Sequence, residues 1–245
     1  MLTYVEDAFN GVIISTALTD LDAPTFSLTL KDIIDEITGL KKQLAWLTLT
    51  HEQAQYIPIA TALGFVFHNC LEHEITLILR LKADAYAPFV PTHSIGAGAL
   101  VINEQQVLVV KDAAQESSGF KLPGGHVELN EDISEAAVRE TFEETGIKTE
   151  FESIIGLGCR HQYRFGKSNI YFICKLKPTS HDIVISDPKE ILAAEWVDIA
   201  VFLADENNSP FNKMIISSLS DTKGLLHSQF NLANSNKREV FLGQQ

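Results

Sequence analysis

"GGHVELNEDISEAAVRETFEETGI", residues 124–147, concentrates carboxylates on what reads as one short helix. Asp132 followed three residues later by Glu135 has the form of a capping box, and Gly146 supplies a left-handed stop. These signals predict a helix over residues 133–145. Arg139 is the one arginine or lysine in residues 124–147. The acidic residues of this stretch are Glu128, Glu131, Asp132, Glu135, Glu140, Glu143 and Glu144.

One face of this predicted helix is acidic. At about 100° per residue, Glu140, Glu143 and Glu144 share an arc of about 100° with Ala136 and Ala137. Like charges at i,i+4 cost a few tenths of a kcal/mol per pair, so the face is either a solvated surface or a site for a hard divalent cation. Spacing alone leaves both readings open, and in either we expect the carboxylates on a solvent-facing arc.

Composition and charge set the class of protein. The chain has 245 residues, 45% of them hydrophobic, and a formal net charge of -13. A surface of this sign repels a nucleic-acid backbone, so we expect no nucleic-acid partner. Three well-separated cysteines (Cys70, Cys159, Cys174) suit a reducing compartment, and no apolar stretch is long enough to span a membrane. We therefore expect a cytoplasmic location and no membrane partner.

The chain also divides along its length. The stretch Lys82–Ser94, rich in proline and small residues, is the expected linker between a domain over 1–90 and a domain over 91–245. Leucines and isoleucines at helical spacing predict an amphipathic helix over Leu28–Leu49. The segment AAEWVDI is expected to begin the last regular element, and Lys237–Gln245 reads as a polar tail that frays.

The acidic stretch resembles a known motif. Gly125, five residues, Glu131, seven residues and then RETFEETGI are similar to the Nudix box Gx5Ex7REUxEExGU, in which U is aliphatic; only Thr141 departs from it. The resemblance implies an α/β fold, an α/β/α sandwich with a mixed sheet. It also implies that Mg²⁺, with Mn²⁺ as a possible substitute, is held by Glu140, Glu143, Glu144 and the carbonyl of Gly124. Arg139 and Glu131 would fix one another and the loop, and Thr141 would face the packing side.

The similarity extends beyond the box. LGFVFHN, PTHSIGAGALVIN and CRHQYRFGKSNIYFICKLKP resemble a branch that includes plant ADP-ribose and NADH pyrophosphatases and a human Nudix protein encoded antisense to a fibroblast growth factor gene. This branch implies a small α/β pre-Nudix domain, likened to an acetyltransferase fold, and a possible homodimer. The expected activity is Mg²⁺-dependent hydrolysis of the pyrophosphate bond of ADP-ribose or NADH. A housecleaning or decapping hydrolase and a non-catalytic nucleotide sensor are the alternatives.

Catalytic residues outside the box follow from the same resemblance. A general base is expected shortly before the last conserved strand, where Glu190 stands five residues before Glu195. Asp187 and Glu195 are rival candidates. Together with Glu144, Arg139 and Glu131, Glu190 completes the predicted catalytic set.

Basic and aromatic residues are the candidates for substrate contact. Arg160, Arg164 and Phe165 interleave in one segment, and Lys121 precedes the box. Guanidinium groups clamp phosphates and aromatic rings stack on bases, although alternation in a hairpin would expose such residues anyway. A second cluster, HNCLEH, offers two histidines and Cys70 but no evident fourth ligand, which a structural zinc site needs, so no structural zinc is expected there.

Overall fold

The computed structural model describes residues 2–16, 21–115, 119–228 and 239–243. The chain forms two compact units, Met1–Pro91 and Thr92–Gln245. Within the described residues, every helix is too short or too polar to cross a bilayer.

The first unit is a five-stranded sheet with helices packed on it. Its strands lie in the order β1-β2-β3-β5-β4, and β2 runs parallel to β3 while the other pairs are antiparallel. The apolar face of the long helix is buried on the sheet, where the ring of Phe26 stacks on Tyr56 at 4.0 Å. The elements are β1 (Thr3–Glu6), β2 (Val12–Ser15), α1 (Ala23–Gly39), β3 (Leu44–Thr50), α2 (Ile57–Ala62, after a 3₁₀ turn at His51–Tyr56), β4 (Val66–Cys70) and β5 (Glu74–Arg80).

The predicted helix over Leu28–Leu49 is wrong in its second half. Helix α1 ends at Gly39, and Lys41 adopts a φ of 57° in the turn that follows. Leu44 and Leu47 then belong to β3, where buried and half-buried residues alternate. Two apolar residues three positions apart fit one face of a helix, but they also fit a strand that is buried on both faces. Their spacing therefore did not distinguish a helix from a strand.

The second unit is a mixed sheet between two layers of helices. Its strands lie in the order β11-β7-β6-β10-β9, with β8 paired to β6; β6 and β10 are parallel and the other pairs antiparallel. The elements are β6 (His93–Asn103), β7 (Gln106–Asp112), β8 (Gly124–His126), α3 (Ile133–Thr145), β9 (Thr149–Arg160), β10 (Ser168–Pro178), β11 (Ile191–Asp198), α4 (Ile199–Ala204), α5 (Pro210–Leu219), β12 (Leu226–Ser228) and β13 (Val240–Leu242).

Alternation along the central strand β6 divides the core of this unit into two layers. Ala97, Ala99 and Val101 pack with α3, whereas Leu100 packs with Phe202 of α4 and with α5. Successive strand residues point to opposite faces, so the same strand supports both helical layers. The predicted α/β/α sandwich with a mixed sheet is confirmed.

The end of the chain departs from the sequence prediction. Regular structure continues beyond AAEWVDI, because α4, α5 and a two-stranded sheet of β12 and β13 follow. Within the predicted tail, Val240–Leu242 pairs with Leu226–Ser228, and Phe241 packs on Phe151 at 5.6 Å between ring centroids. Residues 237–238 and 244–245 of that tail lie outside the described residues.

Candidate active site

Helix α3 begins and ends where the sequence predicts. Asp132 and Glu135 form the capping box, and Gly146 adopts the left-handed conformation with φ of 73°. Thr141 is fully buried on the packing side, as expected for its place in the box. Its hydroxyl donates to the carbonyl oxygen of Ala137 at 2.7 Å, which satisfies the only polar group that the departure from an aliphatic residue introduces.

The position of Glu144 corrects the sequence analysis. Its side chain is 6% exposed, not on a solvent-facing arc. The carboxylate accepts a hydrogen bond from the backbone N–H of Gly124 at 2.8 Å, and its second oxygen lies 3.6 Å from Nζ of Lys121. The turn that carries Lys121 and Gly124 therefore covers this end of the acidic face.

Glu140 lies against the same turn. A Cβ built on Gly125 would lie 2.4 Å from Oε1 of Glu140, so a side chain there would occupy the space of the carboxylate. Glycine at this position therefore allows the carboxylate of Glu140 to approach the backbone closely. Glu143 differs from both neighbours, because its side chain is 56% exposed.

Arg139 connects the carboxylates of the helix and the loop. Its guanidinium makes a bidentate pair with Glu131, at 2.6 and 3.0 Å, and donates to Glu140 at 3.0 Å and Glu143 at 2.9 Å. It also donates to the carbonyl oxygen of His126 at 3.1 Å. Hydrogen bonding to Glu131, above all, raises the pKa of Arg139, so the group stays charged and fixes the loop to the helix.

Burial dominates the electrostatics of the site. Desolvation raises the pKa of Glu144 to about 7, against the favourable effects of Lys121 and the Gly124 N–H. Desolvation also raises the pKa of Glu140, although Arg139 opposes it. For Lys121, burial lowers the pKa but the charges of Glu144 and Asp112 outweigh it, and the pKa is raised. A buried carboxylate, Glu144, and a half-buried one, Glu140, thus repel each other, and nearby positive groups do not fully offset the cost of their burial.

The donor set suits a hard divalent cation. Oxygen ligands from carboxylates and a backbone carbonyl are those that Mg²⁺ takes in proteins. Among the described residues, Lys121 is the one basic side chain that forms an ion pair with Glu144, and its Nζ lies closer to Asp112, at 2.7 Å. Additional positive charge at the turn would offset the cost of keeping Glu140 and Glu144 ionised. The residues present therefore fit a metal of this kind.

A cavity of about 740 Å³ opens beside the turn from Lys121 to Gly124, on the side of the sheet that carries α4 and α5. Its lining includes Lys121, Gly124 and Arg160, together with the aromatic rings of Tyr171 and Phe211. Such a volume accommodates a ligand of nucleotide size.

Tyr171 is a lining residue that the sequence analysis missed. A Cβ built on Gly98 would lie 1.8 Å from its hydroxyl oxygen, and one on Gly124 would lie 2.8 Å from the same atom. The hydroxyl is therefore seated between β6 and β8, next to the turn that covers Glu144. Glycines inside a strand signal such a close approach, so IGAGA in β6 carried the available hint.

The candidate substrate residues separate into two groups. Lys121 and Arg160 line the cavity, whereas Arg164 and Phe165 are absent from the lining in the described part of the chain. The Phe165 side chain is 96% exposed, in a turn where its φ is 56°. The guanidinium carbons of Arg160 and Arg164 lie 5.5 and 5.6 Å from the ring centre of Tyr163, which itself lines the cavity.

The candidate bases also differ in position. Glu190 ends the turn before β11, where its carbonyl accepts from the N–H of Ala113 at 2.8 Å, and its charge contributes to the raised pKa of Glu140. The Asp187 carboxylate accepts from the Lys189 N–H at 2.9 Å within the same turn. Glu195 lies on β11, one residue before Trp196, which packs with α3. Alternation therefore places Glu195 on the sheet face opposite α3.

Comparison with known proteins identifies the family. The family model described as NUDIX domain matches residues 92–218, and one described as Nudix hydrolase domain matches residues 2–81. Human nucleoside diphosphate-linked moiety X motif 6 is 35% identical over 218 residues, which cover 85% of this chain and 69% of that protein. The chain belongs to the Nudix hydrolase family. Nudix hydrolase 8 of Arabidopsis thaliana is 34% identical, over 83% of this chain and 56% of that protein.

Solved structures of Nudix proteins are also similar. The crystal structure of a MutT Nudix hydrolase from Burkholderia pseudomallei matches 53% of this chain and 99% of its own, with 18% identity and a TM-score of 0.45. As a Nudix hydrolase, the present protein is a pyrophosphohydrolase, and enzymes of this family act on small nucleotide substrates. Enzymes of this family generally need a divalent metal, which agrees with the donor set at α3.

Proposed function

We propose that this Nudix hydrolase cleaves the pyrophosphate bond of a nucleoside diphosphate derivative in a Mg²⁺-dependent reaction, and that it favours ADP-ribose or NADH. The observation that carries the proposal is the position of Glu144. This carboxylate is buried beneath the turn from Lys121 to Gly124, and both of those residues, which contact it, line a cavity of nucleotide size. A buried carboxylate whose pKa is raised by desolvation, close to a cavity of this size, is a typical functional arrangement.

Residues of α3 and the turn would hold the metal. Glu140, Glu143 and Glu144 supply carboxylate oxygens, and Gly124 supplies a backbone carbonyl. Mg²⁺, when bound, neutralises charge on the phosphate oxygens and brings water to phosphorus. Arg139 fixes the geometry of this set, since it contacts Glu131, Glu140 and Glu143 simultaneously.

Glu190 is our choice for the general base. Its charge acts on Glu140, whereas Glu195 lies on the sheet face opposite α3 and the Asp187 carboxylate is engaged within its own turn. An exposed carboxylate in a turn near the metal ligands is able to accept a proton from water that is positioned for attack. Mn²⁺ would substitute for Mg²⁺ because both take oxygen ligands.

Substrate preference would come from the cavity rather than from the Nudix box. Arg160 contributes a guanidinium suited to a diphosphate, and the rings of Tyr163 and Phe211 offer surfaces on which a base stacks. The resemblance to the ADP-ribose and NADH branch supports these two substrates over a nucleoside triphosphate. The roles of Arg164 and Phe165 in binding, the homodimer and the cytoplasmic location stay predictions.

A substrate panel tests this proposal. We expect turnover to vanish in EDTA and to return with Mg²⁺ or Mn²⁺, and kcat/KM for ADP-ribose or NADH to exceed that for dGTP at least 10-fold at one Mg²⁺ concentration. Diadenosine polyphosphates complete the panel. A preference for dGTP would contradict the substrate assignment and favour the hypothesis of a housecleaning hydrolase. Binding without turnover of any nucleotide would favour the sensor reading.

A further inference from the structure

Three metal-ligating side chains converge at one end of the second sheet. His93 begins β6, Cys159 lies one residue before the end of β9, and His161 follows that strand. Strand β10 lies between them, with Ser168 opposite His93 and Ile170 opposite Cys159. His93 and His161 are 68 positions apart in the sequence. They lie close together because the strands are in the order β6-β10-β9.

The ligand atoms of this cluster are close together. One nitrogen from each histidine and the sulfur of Cys159 all lie within 4.8 Å of one another, and all three residues are exposed. In a tetrahedral zinc site, bonds of about 2.0 Å to nitrogen and 2.3 Å to sulfur place neighbouring ligands roughly 3.3 to 3.8 Å apart. Small rotations of exposed side chains close the remaining gap.

Neighbouring hydroxyl groups orient both imidazole rings. Nδ1 of His93 lies 2.8 Å from the hydroxyl of Thr92, which leaves Nε2 of that ring to ligate. Nδ1 of His161 lies 3.1 Å from the hydroxyl of Ser168 and 4.0 Å from the sulfur of Cys159. Hydrogen bonds of this kind fix the orientation of metal-ligating histidines in known sites.

We propose that His93, Cys159 and His161 bind Zn²⁺, with a fourth position open to water. Nitrogen and thiolate ligands suit a borderline-soft cation and are poor ligands for Mg²⁺, so this site and the carboxylate site of α3 select different metals. Cys159 also lines the cavity beside Arg160. Zinc at this site therefore alters the cavity wall and lowers hydrolysis, a consequence that rests on the proposed function.

Cobalt binding tests the site without any substrate. Co²⁺ is titrated into the full chain with excess Mg²⁺ present, and the near-ultraviolet absorption of a cobalt–thiolate bond is recorded. We expect one Co²⁺ per chain, displacement of the band by Zn²⁺, and loss of the band in Cys159→Ser. His161→Ala should weaken Co²⁺ binding at least 10-fold. Cys70→Ser is the matched control, because Cys70 is also an exposed thiol but lies in the first unit.

The outcomes separate the two parts of the inference. A band that persists in Cys159→Ser, or that disappears in Cys70→Ser, overturns the zinc site. Initial rates of nucleotide hydrolysis are then measured against Zn²⁺ at fixed Mg²⁺, where wild type should be inhibited at concentrations at least 10-fold lower than Cys159→Ser. Equal inhibition of the two proteins would overturn the effect on hydrolysis. Failure of the proposed function would leave the cobalt result intact.

Discussion

Replacing Glu144 by glutamine should stabilise the metal-free protein while it abolishes activity. The substitution removes a charge and keeps the shape of a side chain that is 6% exposed. Burial raises the pKa of this carboxyl from 4.5 to about 7. At 1.36 kcal/mol per pKa unit, the difference of about 2.5 corresponds to roughly 3 kcal/mol that ionised Glu144 costs the folded state above pH 7.

The direction of the pH dependence follows from the sign of that shift. An acid whose pKa is higher in the folded state favours folding while it is protonated, so its contribution is fully present below pH 4.5 and is lost as pH rises through about 7. Glutamine does not titrate. The pKa of about 7 already includes the opposing attraction of Lys121, so the cost of roughly 3 kcal/mol is the upper limit of the effect. We expect a net gain of about 1 to 3 kcal/mol at pH 8, or about 2 to 4 °C per kcal/mol in Tm.

Thermal unfolding in EDTA between pH 5 and pH 8 measures this effect. Wild type should lose stability across the range relative to Glu144→Gln, and hydrolysis by the variant in Mg²⁺ should fall at least 100-fold. Glu143→Gln is the matched control for charge removal, since Glu143 lies one position away with a side chain that is 56% exposed. A Glu144→Gln protein less stable than wild type at pH 8, or an equal gain in Glu143→Gln, would refute the reasoning.

Two further substitutions test the site on either side of the sheet. Glu190→Gln should lower kcat by about 10² to 10⁴, the range for a lost general base. Glu195→Gln, on the opposite face of the sheet, should change kcat only several-fold. If steady-state kinetics reverse this order, Glu195 and not Glu190 is the base. Gly98→Ala places a Cβ 1.8 Å from the hydroxyl oxygen of Tyr171 and should destabilise the fold by about 1 to 3 kcal/mol, measured by urea unfolding. Gly39→Ala, where the added Cβ has open space within 4 Å, is its control, and equal losses in both would rule out the clash.

Local signals predicted the helix of the site well. The capping box at Asp132 and the stop at Gly146 depend on residues within the segment itself, so the bounds of α3 followed from the sequence. The burial of Thr141 likewise followed from its place in the motif.

Tertiary contacts determined what the sequence could not predict. Glu144 is buried because the turn from Lys121 to Gly124 covers it, and periodicity within α3 contains no information about that turn. Tyr171 reaches the site across a parallel pair of strands, opposite Gly96 in register. The prediction that Leu44 and Leu47 belong to a helix was wrong for a local reason, because their spacing fits a helix and a strand equally well.

The hydrogen bonds of Glu239 affect when helix α3 gains its native contacts during synthesis of the chain. Its carboxylate accepts from the N–H groups of Ile133 at 2.8 Å and Ser134 at 3.1 Å, at the first turn of α3, although Ile133 and Glu239 are 106 positions apart. At roughly 5 to 20 residues per second, a ribosome needs about 5 to 20 s to synthesise the intervening chain. During that interval the catalytic helix has neither this acceptor nor the packing of Phe241 on Phe151. Nascent chains that have completed the Nudix box are therefore expected to remain inactive and open to chaperones until the β13 segment has emerged.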